Sequence, residues 1–348
     1  MSRCAGVWKR DVPCQCHAFG LWLSCMSETV IAGDLGGTNL RAAIVDSEGN
    51  IRLRRQVDTP EAATQDEITA VLVDLFRGVA DSADEQPRAL CVATAGLVDA
   101  DGGRVLLAAN IPGFRDIVLT RPLQDALAIP AFIENDASAA ALGEFRFGAG
   151  RGARHLLHVT VGTGVGGGLV VNGHLHRGEH GFAGEIGHMI IEPSGPPCTC
   201  GSRGCLEALV SGTAFARRAR ELIAAGKSDK LRAMAEAPAE VTSTHLFEAA
   251  SAGDPVCEAE IRHGGHMLGL GIGSLVNVLD PTRVTLSGGL LAMGDMLLEP
   301  ARAALRSLPY GPAAGAQIAL STLGEDAGLL GAAAVAFERL EDPAPARI

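Results

Sequence analysis

At 348 residues, with 47% apolar side chains, 44 glycines and 4% aromatics, the chain is long enough for two domains and is neither disordered nor fibrous in composition. Its formal net charge of −11 argues against broad binding to nucleic acid or to an anionic membrane. An anionic nucleotide held by backbone amides and a divalent ion is still admitted, and no apolar run approaches the roughly 20 residues that span a bilayer.

Residues 1–26 differ from everything after them. Cys14, Cys16 and His17 imitate half a metal site without surrounding carboxylates, and FGLWLSC is too short and broken for a secretory segment. This stretch is assigned to a disordered or spurious extension, with Met26 as the expected natural start of translation. TVIAGDLGGTNLRAAIVDSEG then reads as a strand, a glycine turn and a second strand ending at Asp46. DEITAVLVDLFRGVA has helical spacing of apolar residues from Ile68 to Val79. ALCVATAGLVD reads as a buried strand running into a turn, IPAFIEND as a strand ending on acidic residues, and DASAAALGEFRFG as a helix. LLHVTVGTGVGGGLVVNGHL repeats the strand, turn, strand scheme around Gly162 to Gly168, with Asn172 and Gly173 forming its next turn. Helices are expected from the loop that follows to about residue 278, with low order around AAGKSDKLRAMAEAPAE. VTLSGGLL is a strand and glycine turn, DAGLLGAAAVAFERL a final helix, and EDPAPARI a frayed tail. The repeated unit predicts a duplicated architecture with a cleft between its halves.

The richest stretch is GEIGHMIIEPSGPPCTCGSRGCLE. Cys198, Cys200 and Cys205 crowd into one glycine-broken loop, with His188 ten residues before the first, which suits a closed tetrahedral zinc site. Glu185 and Glu207 flank the loop as carboxylates for ligand hydroxyls, and one ring nitrogen of His188 is left to face a ligand while the other holds the metal. The remaining cysteines show no disulfide framework, and Cys91 and Cys257 lie in apolar contexts, so a reducing cytoplasm is expected.

Two turns suit phosphate. Asp34, Gly36, Gly37, Thr38 and Asn39 place a carboxylate ahead of a turn whose amides form an anion nest. Gly162, Thr163 and Gly164 form a second such hairpin. Gly162, Gly164 and Gly167 also match the dinucleotide fingerprint, but a strand follows where that motif needs a helix. Gly226-Lys227-Ser228 lacks the upstream glycine of a Walker loop. Asp136, at a strand-to-helix junction, is the candidate general base, with Asn135 holding a neighbouring hydroxyl. An aspartate there is also an ordinary helix cap.

GDLGGTN, ENDA, VGTGVGGG, GEIGH and CTCGSRGCLE, in this order, resemble the ROK family of sugar kinases and sugar-responsive repressors, over about Thr29 to Leu340. NIPGF, RFGAG and LHRGEHGFAGEIGH are most similar to its bacterial ATP-dependent glucokinases. The resemblance implies an actin-like ATPase (ribonuclease H-like) fold of two α/β domains around a cleft. The small domain is expected over 27–136, with a C-terminal helix at about 325–341 packing back on it, and the large one over 137–324. It implies ATP with Mg²⁺ as donor, glucose as acceptor at its 6-hydroxyl, and structural Zn²⁺. Asp136 matches the base, and Asn110, Asn135, Glu185, His188 and Glu207 match sugar-binding positions. Asp34 matches a position near Mg²⁺, Gly288 and Gly289 the adenosine-side turn, and His188, Cys198, Cys200 and Cys205 the zinc ligands. A homodimer is expected on the same ground. Asn39 stands where many relatives carry lysine, Thr94-Ala95-Gly96 lacks the usual Pro-Gly, and Phe114 replaces a common tryptophan. Rival assignments are a fructose or N-acetylhexosamine kinase on the same scaffold (N-acetylglucosamine or N-acetylmannosamine), a repressor, and a silent sugar-binding protein. With fewer than 34 residues before Asp34 and an acidic chain, the repressor is disfavoured; intact phosphate turns and base disfavour the silent protein.

Overall fold

Strands β1 (Thr29–Leu35) and β2 (Asn39–Asp46) pair antiparallel and are buried on both faces. Their alternation sorts side chains into two cores. Ile31, Leu35, Leu40, Ala42 and Ile44 join one, while Val30, Ala32, Ala43 and Val45 join the other. The computed structural model describes residues 28–60, 64–108, 114–234, 237–309 and 316–342. The extension at 1–26 and Asn110 lie outside the described residues.

β3 (Ile51–Asp58), β4 (Leu90–Thr94) and β8 (Ala131–Asn135) complete a five-stranded sheet in the order β3-β2-β1-β4-β8. Between β4 and β8 the chain makes a separate three-stranded sheet of β5 (Leu97–Asp99), β6 (Arg104–Leu107) and β7 (Arg115–Val118), followed by α2 (Thr120–Leu127). Helix α1 (Gln65–Ala80) covers one core with Ile68, Leu72, Leu75, Phe76 and Val79, the stripe expected from its spacing. It starts at Thr64, whose side chain and that of Glu67 form a capping box.

Helix α3 (Asp136–Phe147) leads from β8 into β9 (Leu156–Val161), β10 (Val165–Val171) and the short β11 (His174–Leu175). β12 (Arg283–Ser287) and β13 (Ile318–Leu320) close a second sheet in the order β11-β10-β9-β12-β13. In both sheets the first three strands form an antiparallel meander and the last two extend the sheet parallel to its first strand. The duplication expected from the two glycine turns is therefore a duplication of topology.

Helices α4 (Leu206–Val210), α5 (Gly212–Ala224), α6 (Asp229–Ala233), α7 (Ser243–Ser251), α8 (Pro255–Leu279) and α9 (Asp295–Ser307) build the remainder around the second sheet. The low order expected over 224–240 is corrected in part by α6. Ser228 caps it through the Leu231 N–H at 3.0 Å, and buried Leu231 pins it to the core. The last helix, α10 (Ala327–Glu341), returns to pack on β1, β4 and α3. Its Ala332, Ala333 and Ala334 are fully buried, and Gly331 lies against Gly143 of α3. Small residues allow this close approach, which accounts for a chain rich in alanine and glycine and poor in aromatics. Among the described residues no helix is long and apolar enough to cross a membrane.

Candidate active site

At the end of β1 the chain turns through Gly36, Gly37 and Thr38. The Gly36 N–H donates to Asn39 O (3.0 Å), Thr59 Oγ1 to Gly36 O (2.8 Å), and the Thr59 N–H to Thr38 O (2.8 Å). None of these bonds uses the Gly37 or Thr38 amide. Both Nε (3.0 Å) and Nη2 of Arg41 donate to Oδ2 of Asp34, and Nη1 of Arg41 donates to Glu325 O (2.9 Å). The start of α10 closes on the same carboxylate: a Cβ on Gly328 would stand 2.7 Å from Asp34 Oδ2. The Asn39 side chain turns along the sheet, accepting from Gln56 Nε2 at 2.9 Å.

The second hairpin joins β9 to β10. Its Gly162 N–H donates to Gly164 O (2.9 Å), and the start of α5 holds its carbonyls, with Gly212 N–H on Gly162 O (2.8 Å) and Thr213 Oγ1 on Thr163 O (2.9 Å). Gly288 and Gly289 follow β12, with Gly288 against Val161. Beneath both turns the buried His158 ring meets Thr285 Oγ1 (2.9 Å) and Ser287 Oγ (3.0 Å). Burial lowers its pKa to about 4, so the ring ties β9 to β12 as a neutral group.

Asn135, rather than Asp136, caps α3. Its Oδ1 accepts from the Ala137 and Ser138 N–H groups (3.0 Å each), and its Nδ2 donates to Gly96 O (3.0 Å). Asp136 is thereby left as the first helical residue, exposed where it lines the cleft. Burial pushes this carboxyl above the usual aspartate range, and the negative charges of Asp34 and Glu185 push the same way. The Ala137 N–H, donating to Oδ1 at 2.8 Å, opposes them. The cleft holds a cavity of about 60 Å³ between Gly96, Val98, Asn135 and Asp136 on one side and Gly166, Phe182 and Glu185 on the other. Burial also raises the Glu185 carboxyl, with Glu207 adding to the effect and His188 opposing it.

Glu207, on α4, faces two ways. Its Oε2 accepts the Val165 N–H (3.1 Å) at the β9–β10 hairpin, and its Oε1 accepts the Thr199 hydroxyl (3.3 Å) in the cysteine loop. A Cβ on Gly164 would lie 2.5 Å from Oε2, so glycine is required there for the carboxylate to approach.

The ligand atoms of His188, Cys198, Cys200 and Cys205 all lie within 4.8 Å of one another. His188 Nδ1 is 3.7 Å from Cys198 Sγ, and Cys200 Sγ is 3.7 Å from Cys205 Sγ. A tetrahedral ion bonded to sulfur at about 2.3 Å has edges of about 3.8 Å between sulfurs, whereas a disulfide needs about 2.05 Å. The donor set and spacing fit zinc. Bridges Ile190 to Cys205 and Pro197 to Arg203 fold the loop back on itself. His188 Nε2 points away from the thiols, 3.9 Å from Glu185 Oε2.

Two groups escaped the sequence pattern. Arg41 is one, although it lies two residues beyond Asn39 on the same strand face. The other is Arg177, whose Nε donates to Glu134 Oε2 (2.6 Å) and Nη2 to Glu338 Oε2 (3.1 Å). Desolvation opposes the guanidinium charge, but the two carboxylates outweigh it and hold its pKa above the ordinary value. Glu134, 3% exposed, is thus committed to an ion pair beside Asp136.

Two sheets of one topology, each with a glycine hairpin and with a carboxylate at the junction between them, define an actin-like ATPase-fold sugar kinase. The chain belongs to the ROK family, whose pattern matches residues 30–339. It is 35% identical over 310 residues to a glucokinase of Halalkalibacterium halodurans, spanning 86% of this chain and 92% of that protein. A ROK hexokinase structure from Thermus thermophilus superposes with a TM-score of 0.77 at 34% identity, covering 90% of this chain and 99% of that one. A ROK family glucokinase from Streptomyces griseus, solved in complex with glucose and AMPPNP, gives 0.74 at 35% identity, with 89% and 99% covered. Xylose repressors also match, at 28% identity over 317 residues for that of Bacillus subtilis.

Proposed function

We propose that this protein is a cytoplasmic glucokinase, transferring the γ-phosphoryl group of ATP to the 6-hydroxyl of glucose. The observation that carries this reading is Asp136: freed from capping by Asn135, open to the cleft, and close enough to Asp34 and Glu185 for their charges to raise its pKa. A base with a raised pKa accepts a hydroxyl proton more readily as the oxygen attacks phosphorus. The Gly37 and Thr38 amides and the Gly162 to Gly164 hairpin would cradle phosphates, and Gly288 and Gly289 would face the adenosine. Glu185, His188 Nε2 and Glu207 would orient sugar hydroxyls, with Asn110 and the remaining hydrogen of Asn135 Nδ2 assisting.

Asp34 fits a divalent cation, because both Arg41 donors fall on Oδ2 and leave Oδ1 to the ion. Magnesium bound there would neutralise charge on the transferring phosphoryl group. Arg41 supplies positive charge near the turn where Asn39 supplies none. Zinc held by His188, Cys198, Cys200 and Cys205 would be structural, fixing the His188 ring and the loop that carries Thr199. Such thiolates persist in a reducing compartment.

The test is a coupled assay over glucose, mannose, fructose, N-acetylglucosamine and N-acetylmannosamine, with ATP and polyphosphate as donors. Glucose with ATP should give the highest kcat/KM. Preference for another sugar reassigns the acceptor. Sugar binding without turnover on any of them favours a regulator, a reading supported by the match to xylose repressors.

A further inference from the structure

Among the described residues, Phe182 is the one large aromatic side chain lining the cleft beside Asp136 and Glu185, and it is 41% exposed. Within a cleft otherwise lined by polar groups such as Asn135, Asp136 and Glu185, the ring offers an apolar surface to a ligand with an apolar face. The loop that carries it is built rather than loose. Gly178, Gly181 and Gly184 have φ of 73°, 81° and 99°, a backbone that side-chain-bearing residues rarely adopt. The Ala183 N–H donates to Arg177 O at 3.0 Å, and Arg177 is itself clamped between Glu134 and Glu338. At its tip, Gly181 reaches across to β5, where an added Cβ would lie 3.3 Å from Val98 O. At its end, Gly184 presses on β10, where a Cβ would lie 2.7 Å from Gly167 O. The loop is therefore held at its base, tip and end, and it presents Phe182 at a fixed place across the cleft.

A pyranose is amphipathic in a matching way, with hydroxyls around its rim and C–H groups on its faces. Asn135, Asp136 and Glu185 serve the rim. We propose that Phe182 is an acceptor-binding residue whose ring receives the C–H face of the sugar. This deepens the kinase reading and rests on it for the identity of the acceptor. The ring contributes to ground-state affinity and does not touch the transferring phosphoryl group, so its loss should fall on KM rather than kcat.

The experiment measures glucose binding by calorimetry and steady-state kinetics for the wild type, Phe182→Ala and Phe182→Tyr, with zinc content and melting temperature as controls for folding. Partial burial of an aromatic ring predicts a Kd and KM for glucose raised about tenfold or more in Phe182→Ala, with kcat and the KM for ATP within about threefold. Phe182→Tyr, which keeps the ring, should restore both. A Kd for glucose unchanged in Phe182→Ala would overturn the proposal, as would a loss confined to kcat. The binding arm reads the proposal without turnover: a wild type that binds glucose through Phe182 but transfers no phosphate refutes the kinase reading alone.

Discussion

Replacing Asp136 by Asn changes one oxygen into an amide and keeps the acceptor for the Ala137 N–H, which donates to Oδ1 at 2.8 Å. Local structure should therefore survive. A positioned base contributes about 10²–10⁴ in rate, or roughly 3–5 kcal/mol of barrier, and kcat in the coupled glucose assay should fall by that factor while glucose binding stays measurable. Stability should move the other way. The folded state raises the Asp136 pKa through burial and the charges of Asp34 and Glu185, so it binds that proton more tightly than the unfolded chain does. Ionisation then costs stability, beginning as pH rises past the unfolded value of about 3.9 and complete above the raised folded value. Asn cannot ionise. In urea titrations the variant should match the wild type at the lowest pH and gain an advantage as pH rises, reaching a constant margin above the raised folded value. Wild-type kcat/KM should correspondingly fall as pH drops through the raised pKa. A variant that keeps turnover within about threefold of wild type refutes Asp136 as the base, and a stability margin that shrinks with rising pH refutes the electrostatic account.

Removing Glu134 as Glu134→Ala leaves Arg177 with Glu338 alone, and breaking a buried pair in this way should cost about 3 kcal/mol in denaturant unfolding. Cys200→Ser should lower zinc content measured by atomic absorption and raise the glucose KM, since the loop would lose one of its four ligands. Arg41→Met should raise the KM for ATP by about tenfold with the glucose Kd unchanged, as one charge-assisted contact is lost; an unchanged KM would remove Arg41 from the donor side.

What the sequence pattern reached, and what it missed, divides by range. The cysteine loop was legible because its ligands lie within 18 residues and glycines mark its turns. Both hairpins were legible because apolar alternation around glycine is a local signal. The role of Asn135 was not, since Asn and Asp are both good caps and only the observed bonds to Ala137 and Ser138 decide between them. Arg177 joins residues 43 and 161 positions away, a pairing that no local pattern encodes. The sheet of β5, β6 and β7 was missed because its strands are three or four residues long, too short for alternation to show.

Helix α10 carries a consequence for how the protein is made. Val30, Ala32, Ala43 and Cys91 are buried partly by residues 329–337, which the ribosome adds some 300 positions after β1. The part of that sheet face covered by α10 thus stays open during synthesis of everything between them. A nascent chain in this interval exposes an apolar surface suited to chaperone capture, and closure of that half waits for residues 329–337. The same helix end meets Asp34 through Gly328, so the surroundings of that carboxylate are likewise completed only when α10 docks.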